Sequence, residues 1–254
     1  MAVVVIDLNA DVGEHPGQDG VAADRAILAG ISSVNIACGF HAGDGATMHA
    51  LCELASAMRK RIGAHVSYLD PEHFGRRDLD VDGETLKDHI GQQIAALQAE
   101  AGVVGARVSY VKPHGALYNR AAVDAERAEV VAAATAAAPG QPLALLGPPG
   151  SELLAAAARH GLPAVSEGFA DRGYLADGTL VPRGQPGAVL APEAAIGQSC
   201  RIAIQAHADA TDGTAVPLHV RSLCLHSDTP GAAELAIAIR NRLIGAGVEI
   251  RPFT

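Results

Sequence analysis

The chain has 254 residues, 49% of them hydrophobic and 19% charged, with a formal net charge of -9. This composition is that of a packed protein, and the length suits one β/α barrel over residues 1–254 as a single domain. No basic stripe with interleaved aromatics argues for nucleic acid, no apolar run nears the roughly 20 residues of a bilayer span, and no basic leader opens the chain, so a cytoplasmic protein is expected.

The first apolar run, Val3-Val4-Val5-Ile6, leads into Asp7, Asn9 and Asp11, with Glu14 just beyond. Alternation puts the three on one face if the strand continues through them. They read as a general base or metal ligands, or as turn formers. The second run, residues 33–38, leads to His41 and Asp44. Asp44 also stands where the N-cap of a helix over 45–60 belongs. The third, residues 62–64, ends at His65 and opens a loop carrying Asp70, Arg76 and Arg77. Paired arginines suit a carboxylate or phosphate, but exposed loop arginines are ordinary. A helix pattern fills 83–101, with Leu86, Ile90, Ile94 and Leu97 at three- and four-residue steps.

The fourth run, residues 108–111, leads to Lys112 and His114. Lys112 is expected to bind an anion, against a Schiff base or a plain salt bridge to Glu167 or Asp171. Residues 143–146 end in Gly147-Pro148-Pro149-Gly150-Ser151, which reads as a tight turn with a Ser cap rather than a phosphate cradle. Residues 164–166 lead to Glu167 and Asp171. The irregular stretch from Phe169 to Pro192 is long enough to be functional, first as a lid and second as a docking loop. Pro192 stands at a helix start. The last strong run, residues 223–225, leads to His226 and Asp228, followed by Pro230 before a helix over 230–246 and a short segment at 248–250.

Seven strand–helix units suggest a distorted seven-stranded (β/α) barrel, with an open doubly wound sheet as the alternative. In either, the carboxyl ends of parallel strands share one side, so these acids, imidazoles and the amine converge there. His41, His65 and His114 suit zinc or proton transfer, and also purely structural roles. No HExxH or HxxxH spacing is present, so a metal rests on convergence alone. Cys38, Cys52, Cys200 and Cys224 show no CxxC spacing and read as buried reduced thiols.

Several ordered blocks resemble the LamB/YcsF family. They are residues 7–14 (DLNADVGE), 35–44 (NIACGFHAGD), 62–65 (IGAH), 74–77 (FGRR), 111–119 (VKPHGALYN), Glu167 with 169–172 (FADR), 180–183 (LVPR) and 228–232 (DTPGA). The chain departs from the family pattern at Val66, at Ser227 and at His15-Pro16. The resemblance implies a barrel related to polysaccharide deacetylases and ATP-dependent opening of 5-oxo-L-proline to L-glutamate, together with B and C subunits. ATP would then be a co-substrate. With no GxxxxGK[ST] motif in the chain, the nucleotide site is expected to be shared with, or carried by, a partner. In that reading Asp7 or Asp11 is the base, aided by His41 or His65. Lys112 and His114 stabilise negative charge. Asn9, Asp44, Arg76, Arg77, Asn119, Glu167, Asp171 and Arg172 contact substrate. A metal-dependent carbohydrate deacetylase and a non-catalytic binding subunit are the alternatives.

Overall fold

The computed structural model describes residues 3–15, 17–227 and 231–254, with the side chain of Gln18 also left aside. Asp228, Thr229 and Pro230, read above as a helix start, lie outside the described residues. The strands are β1 (Val5–Val12), β2 (Ser33–Ala37), β3 (Arg61–Val66), β4 (Val108–Pro113), β5 (Ala144–Gly147), β6 (Ala164–Phe169), β7 (His207–Asp209), β8 (Ala215–Pro217), β9 (Ser222–Leu225) and β10 (Glu249–Ile250). The helices are α1 (Gly17–Leu28), α2 (Gly45–Ala57), α3 (Gly83–Val103), α4 (Gly115–Val123), α5 (Ala125–Ala136), α6 (Glu152–Arg159), α7 (Pro192–Gln205) and α8 (Ala232–Gly245).

β1 to β6 pair in sequence order, β6 pairs with β9, and β9 pairs back to β1, all in parallel. The sheet is therefore a closed seven-stranded barrel, and the open alternative is excluded. β10 extends the pairing of β1 only at its entry, where Val5 and Ile6 face Glu249 and Ile250. β7 and β8 form a separate antiparallel hairpin.

Helix starts follow the polar residues that can accept their free N–H groups. Asp44 accepts from Thr47 N at 2.7 Å, Asp82 from Thr85 N at 2.9 Å, and Ser151 from Leu154 N at 3.3 Å. Pro192 opens α7. The helices bury Leu51, Ile90, Leu97, Val131, Leu153 and Ile239 against the outward side chains of the strands. Each such buried aliphatic residue contributes about 1.5–3 kcal/mol of transfer free energy.

Of the two readings left open for the first run, the strand holds. β1 runs to Val12, so Asp7, Asn9 and Asp11 lie inside it. The alternation D-L-N-A-D-V sends Leu8, Ala10 and Val12 to the helices and the three polar side chains inward. The barrel interior is accordingly polar, and its groups pair with one another. Asn9 Nδ2 donates to Glu167 Oε1 at 2.8 Å and to Ser222 Oγ at 2.7 Å, and Asn35 Nδ2 donates to Asn9 Oδ1 at 2.7 Å. Tyr110 reaches across from β4, its hydroxyl 2.7 Å from Asn35 Oδ1. Gly63 leaves the room for it: a Cβ there would sit 2.1 Å from the tyrosine ring. All four cysteines are free thiols.

Candidate active site

Above the Asn9–Asn35 layer, the barrel mouth gathers charge. Asp11, Lys112 and Glu167 come from β1, β4 and β6 and are all buried. Lys112 Nζ lies 3.0 Å from Asp11 Oδ1, 3.1 Å from Glu167 Oε1 and 3.0 Å from Cys224 Sγ. The expected anion site at Lys112 is thus corrected. Two carboxylates of the barrel already neutralise the ammonium, because a buried cation needs partners within the protein. Burial works against the charged form of Lys112, yet Asp11, Cys224 and Glu167 hold its pKa well above the usual value. Burial likewise raises an acid, but the neighbouring His65 and the Lys112 ammonium hold Asp11 well below the carboxylate range. Tyr118 donates from its hydroxyl to Glu167 Oε2 at 3.0 Å.

Beside this lock sit His41, His65, His114 and Glu14. Just after β1 comes Gly13, whose φ of +77° turns the chain so that Glu14 points back over the mouth. His65 stands in β3, His114 follows β4, and His41 follows β2. Glu14 Oε1 lies 3.2 Å from His41 Nε2, 3.3 Å from His114 Nδ1 and 3.8 Å from His65 Nε2. His65 Nε2 is 3.0 Å from His114 Nδ1 and 3.4 Å from Asp11 Oδ2. The His41 and His114 rings stack at 3.8 Å. Burial first, then the neighbouring imidazoles, push His41 and His114 well below the ordinary histidine pKa. The donor atoms of Glu14, His41, His65 and His114 lie within 4.8 Å of one another, as do those of Asp11, Cys224 and His226.

A third group closes the rim. Asp171 accepts from the backbone N of His226 at 2.9 Å and lies 3.0 Å from its Nδ1. Burial opposes protonation of His226, but Asp171 overcomes it and raises the pKa. Phe169 stacks on the same imidazole at 5.6 Å.

The mouth therefore unites Asn9, Asp11, His41, His65, Lys112, His114 and Glu167, with Asp171 joined through His226. Asp7 sits lower in the barrel, where its carboxylate accepts from Ser32, Ser33 and Ser222. Burial, against those three hydroxyls, raises its pKa to about 6. Asp44 is an exposed helix cap and Asn119 is exposed on α4. Arg77 bonds Asp70 at 2.6 Å, whereas Arg76 lies 4.8 Å over the Phe74 ring, which packs edge-on to His41 and His114. Arg172 gives Nε to Ala188 O and Nη2 to Val181 O, both at 2.7 Å, inside the irregular stretch. That stretch is tied down: Gln198 Nε2 reaches the carbonyls of Phe169 and Arg172, and Tyr174 bridges to Leu180 and Ala210. It is a fixed wall of the mouth, not a free lid.

Glu14, Asn35, Tyr118 and His226 were not among the expected site residues. Asn35 was hidden inside an apolar strand, and Tyr118 in an α4 helix pattern. Glu14 and His226 had a signal, since each lies within two residues of a strand end.

The LamB/YcsF family model matches residues 6–254. A protein of Streptomyces griseus subsp. griseus, named as the A subunit of 5-oxoprolinase, is 52% identical over 98% of this chain and all of its own length. The crystal structure of the lactam utilization protein from Thermus thermophilus superposes with a TM-score of 0.88 at 38% identity, covering 98% of this chain and 100% of that one. The Xyl-CE4 domain of a multidomain xylanase, from the hindgut metagenome of Trinervitermes trinervoides, shares the fold alone. It is 10% identical with a TM-score of 0.51, over 96% of this chain and 86% of that domain. No helix among the described residues is long and apolar enough to cross a membrane.

Proposed function

The chain belongs to the LamB/YcsF family, and from that premise we propose that it is the A subunit of an ATP-dependent 5-oxoprolinase, opening the lactam of 5-oxo-L-proline to L-glutamate with partner B and C subunits. The observation that carries the reading is the buried Asp11–Lys112–Glu167 lock at the mouth, flanked by the Asp171–His226 pair. Water must add to the ring carbonyl carbon, the C–N bond must break, and the departing nitrogen must gain a proton. ATP drives this by making the carbonyl electrophilic.

Asp11 is the base that orients and deprotonates water; Asp7, held below by three serines, serves the barrel instead. Lys112 keeps Asp11 ionised and fixed. His226, held by Asp171 with its pKa raised, carries the proton for the leaving nitrogen. Arg76, at the rim beside the histidines, takes the substrate carboxylate. The reading is tested by 5-oxoproline-dependent glutamate formation in the reconstituted complex carrying Asp11→Asn. A loss of at least about 100-fold in kcat is expected for a general base; undiminished turnover would remove Asp11 from the mechanism.

The donor set of Glu14 with three imidazoles also favours a second reading, a metal-dependent deacetylase. Release of acetate from an N-acetylated sugar by the chain alone, without ATP, would support it over the first.

A further inference from the structure

Strands β1 to β4 set one row of residues in register around the barrel. Asp11 pairs with Asn35, Asn35 with Gly63, and Gly63 with Tyr110. Gly63 leaves the row open at one place, so the Tyr110 ring lies over it and the hydroxyl reaches Asn35. Proton accounting fixes which way the Asn35 amide points. Glu167 accepts from Lys112 and Tyr118, so the Asn9 atom 2.8 Å from its Oε1 is the amide nitrogen. Asn9 then turns its oxygen toward Asn35 and Lys112. Asn35 must present its amide nitrogen to Asn9 Oδ1 and to Asp11 Oδ1, both at 2.7 Å, which uses both of its hydrogens. Its own oxygen faces the Tyr110 hydroxyl, 2.7 Å away, which also lies 2.9 Å from the Val34 carbonyl oxygen. Turning the amide over would set its oxygen against two others.

We propose that Asn35 is a positioning residue for Asp11: by donating to Oδ1 it sets the plane of the carboxylate and leaves Oδ2 as the oxygen that takes the proton of the attacking water. The inference rests on the reading of Asp11 as the base. Oδ1 receives two donors, Asn35 Nδ2 at 2.7 Å and Lys112 Nζ at 3.0 Å. Oδ2 meets His65 Nε2 at 3.4 Å, longer than the roughly 2.7–3.2 Å of a close N–H···O bond. Lys112 holds the carboxylate by charge, but a compact ammonium on a flexible stem does not set its plane. Asn35 does, because it stands on the adjacent strand at the register position of Asp11 and is itself held from behind by Tyr110. Tyr110 and Lys112 are two residues apart on β4 and share its inward face, so one strand grips the Asp11–Asn35 pair at both ends. A base aimed in advance reaches the reactive geometry without a search over orientations.

The test is a double-mutant cycle in the reconstituted complex, read as glutamate formation from 5-oxoproline and ATP. Asn35→Ala should lower kcat about 10–100-fold with KM nearly unchanged, the loss that a misplacement of about 1 Å brings. Tyr110→Phe removes only the hydroxyl behind Asn35 and should lower kcat by less, again at constant KM. In an Asp11→Asn background, Asn35→Ala should cost at most about twofold more, because a residue that acts through Asp11 has nothing left to position. Losses that multiply in the double variant, or a raised KM with kcat unchanged, would overturn the proposal. If Asn35→Ala does not fold, as judged by circular dichroism and melting temperature, Tyr110→Phe and its combination with Asp11→Asn decide in the same way. If Asp11→Asn leaves too little turnover to measure, the kcat loss at constant KM in the single variants decides. Full turnover by Asp11→Asn would remove the base, and this inference with it. An inactive Asp11→Asn beside a fully active Asn35→Ala would strike this inference alone.

Discussion

Lys112 bears on the stability of the mouth and, on the proposed reading, on its chemistry. Its ammonium neutralises two buried carboxylates, so Lys112→Ala leaves Asp11 and Glu167 as uncompensated charges. Breaking a buried pair in this way costs about 3–5 kcal/mol. The substitution should therefore lower the melting temperature markedly as well as abolish activity. A variant of parental stability would mean that the lock is not buried in solution. Asp7 makes a second prediction. Its pKa rises from the ordinary 3.8 to about 6 on folding. Between those values the folded chain keeps a proton that the unfolded chain has released, so this residue's contribution weakens stability as pH rises from about 4 to 6. The full cost, on the order of 3 kcal/mol at 1.36 kcal/mol per unit, applies above pH 6. Asp7→Asn should flatten that part of the stability profile; parallel profiles for the two proteins would contradict the assignment. At this scale the sequence made His41, His65, Lys112 and His114 legible, because each follows an apolar run. It hid Asn35, whose inward direction depends on which face of β2 meets the barrel axis. Glu14 was seen but not weighed, since only the turn at Gly13 aims it at the histidines.

The elements were legible where burial is continuous. Seven apolar runs matched the seven barrel strands, and Asp44, Ser151 and Pro192 marked helix starts. The hairpin of β7 and β8 was not foreseen, because three-residue strands with one buried residue each give no periodic signal. The length of β1 was left open, since its polar half fits a strand or a turn until the barrel supplies partners for it. Gly63 in β3 tests how tightly the interior is packed. Gly63→Ala drives a methyl group into the Tyr110 ring, an overpacking that costs about 1–3 kcal/mol or more. For a chain of this size, that is roughly 2–4 °C of melting temperature per kcal/mol. A melting temperature equal to the parent's would show that Tyr110 does not cross the barrel as described. The stretch after β6 was expected to be a lid by its glycines and prolines. Arg172 and Gln198, which hold its carbonyls, make it a wall, and no composition rule reveals that.

At the scale of the molecule, closure of the sheet by the β1–β9 pair brings residues as distant as Asn9 and Ser222 into contact. That closure places Asp11, Lys112 and Glu167 on one rim, and the proposed chemistry depends on it. On the proposed reading, the chain offers a base, a fixed cation and an acid–base histidine, and the coupling to ATP falls to the assembly. The most direct measurement is glutamate formation from 5-oxoproline and ATP, with the chain alone, with the B and C subunits alone, and with all three. The account predicts turnover only in the full mixture, abolished there by Asp11→Asn. Equal turnover by this chain alone, or by the full mixture carrying Asp11→Asn, would contradict it.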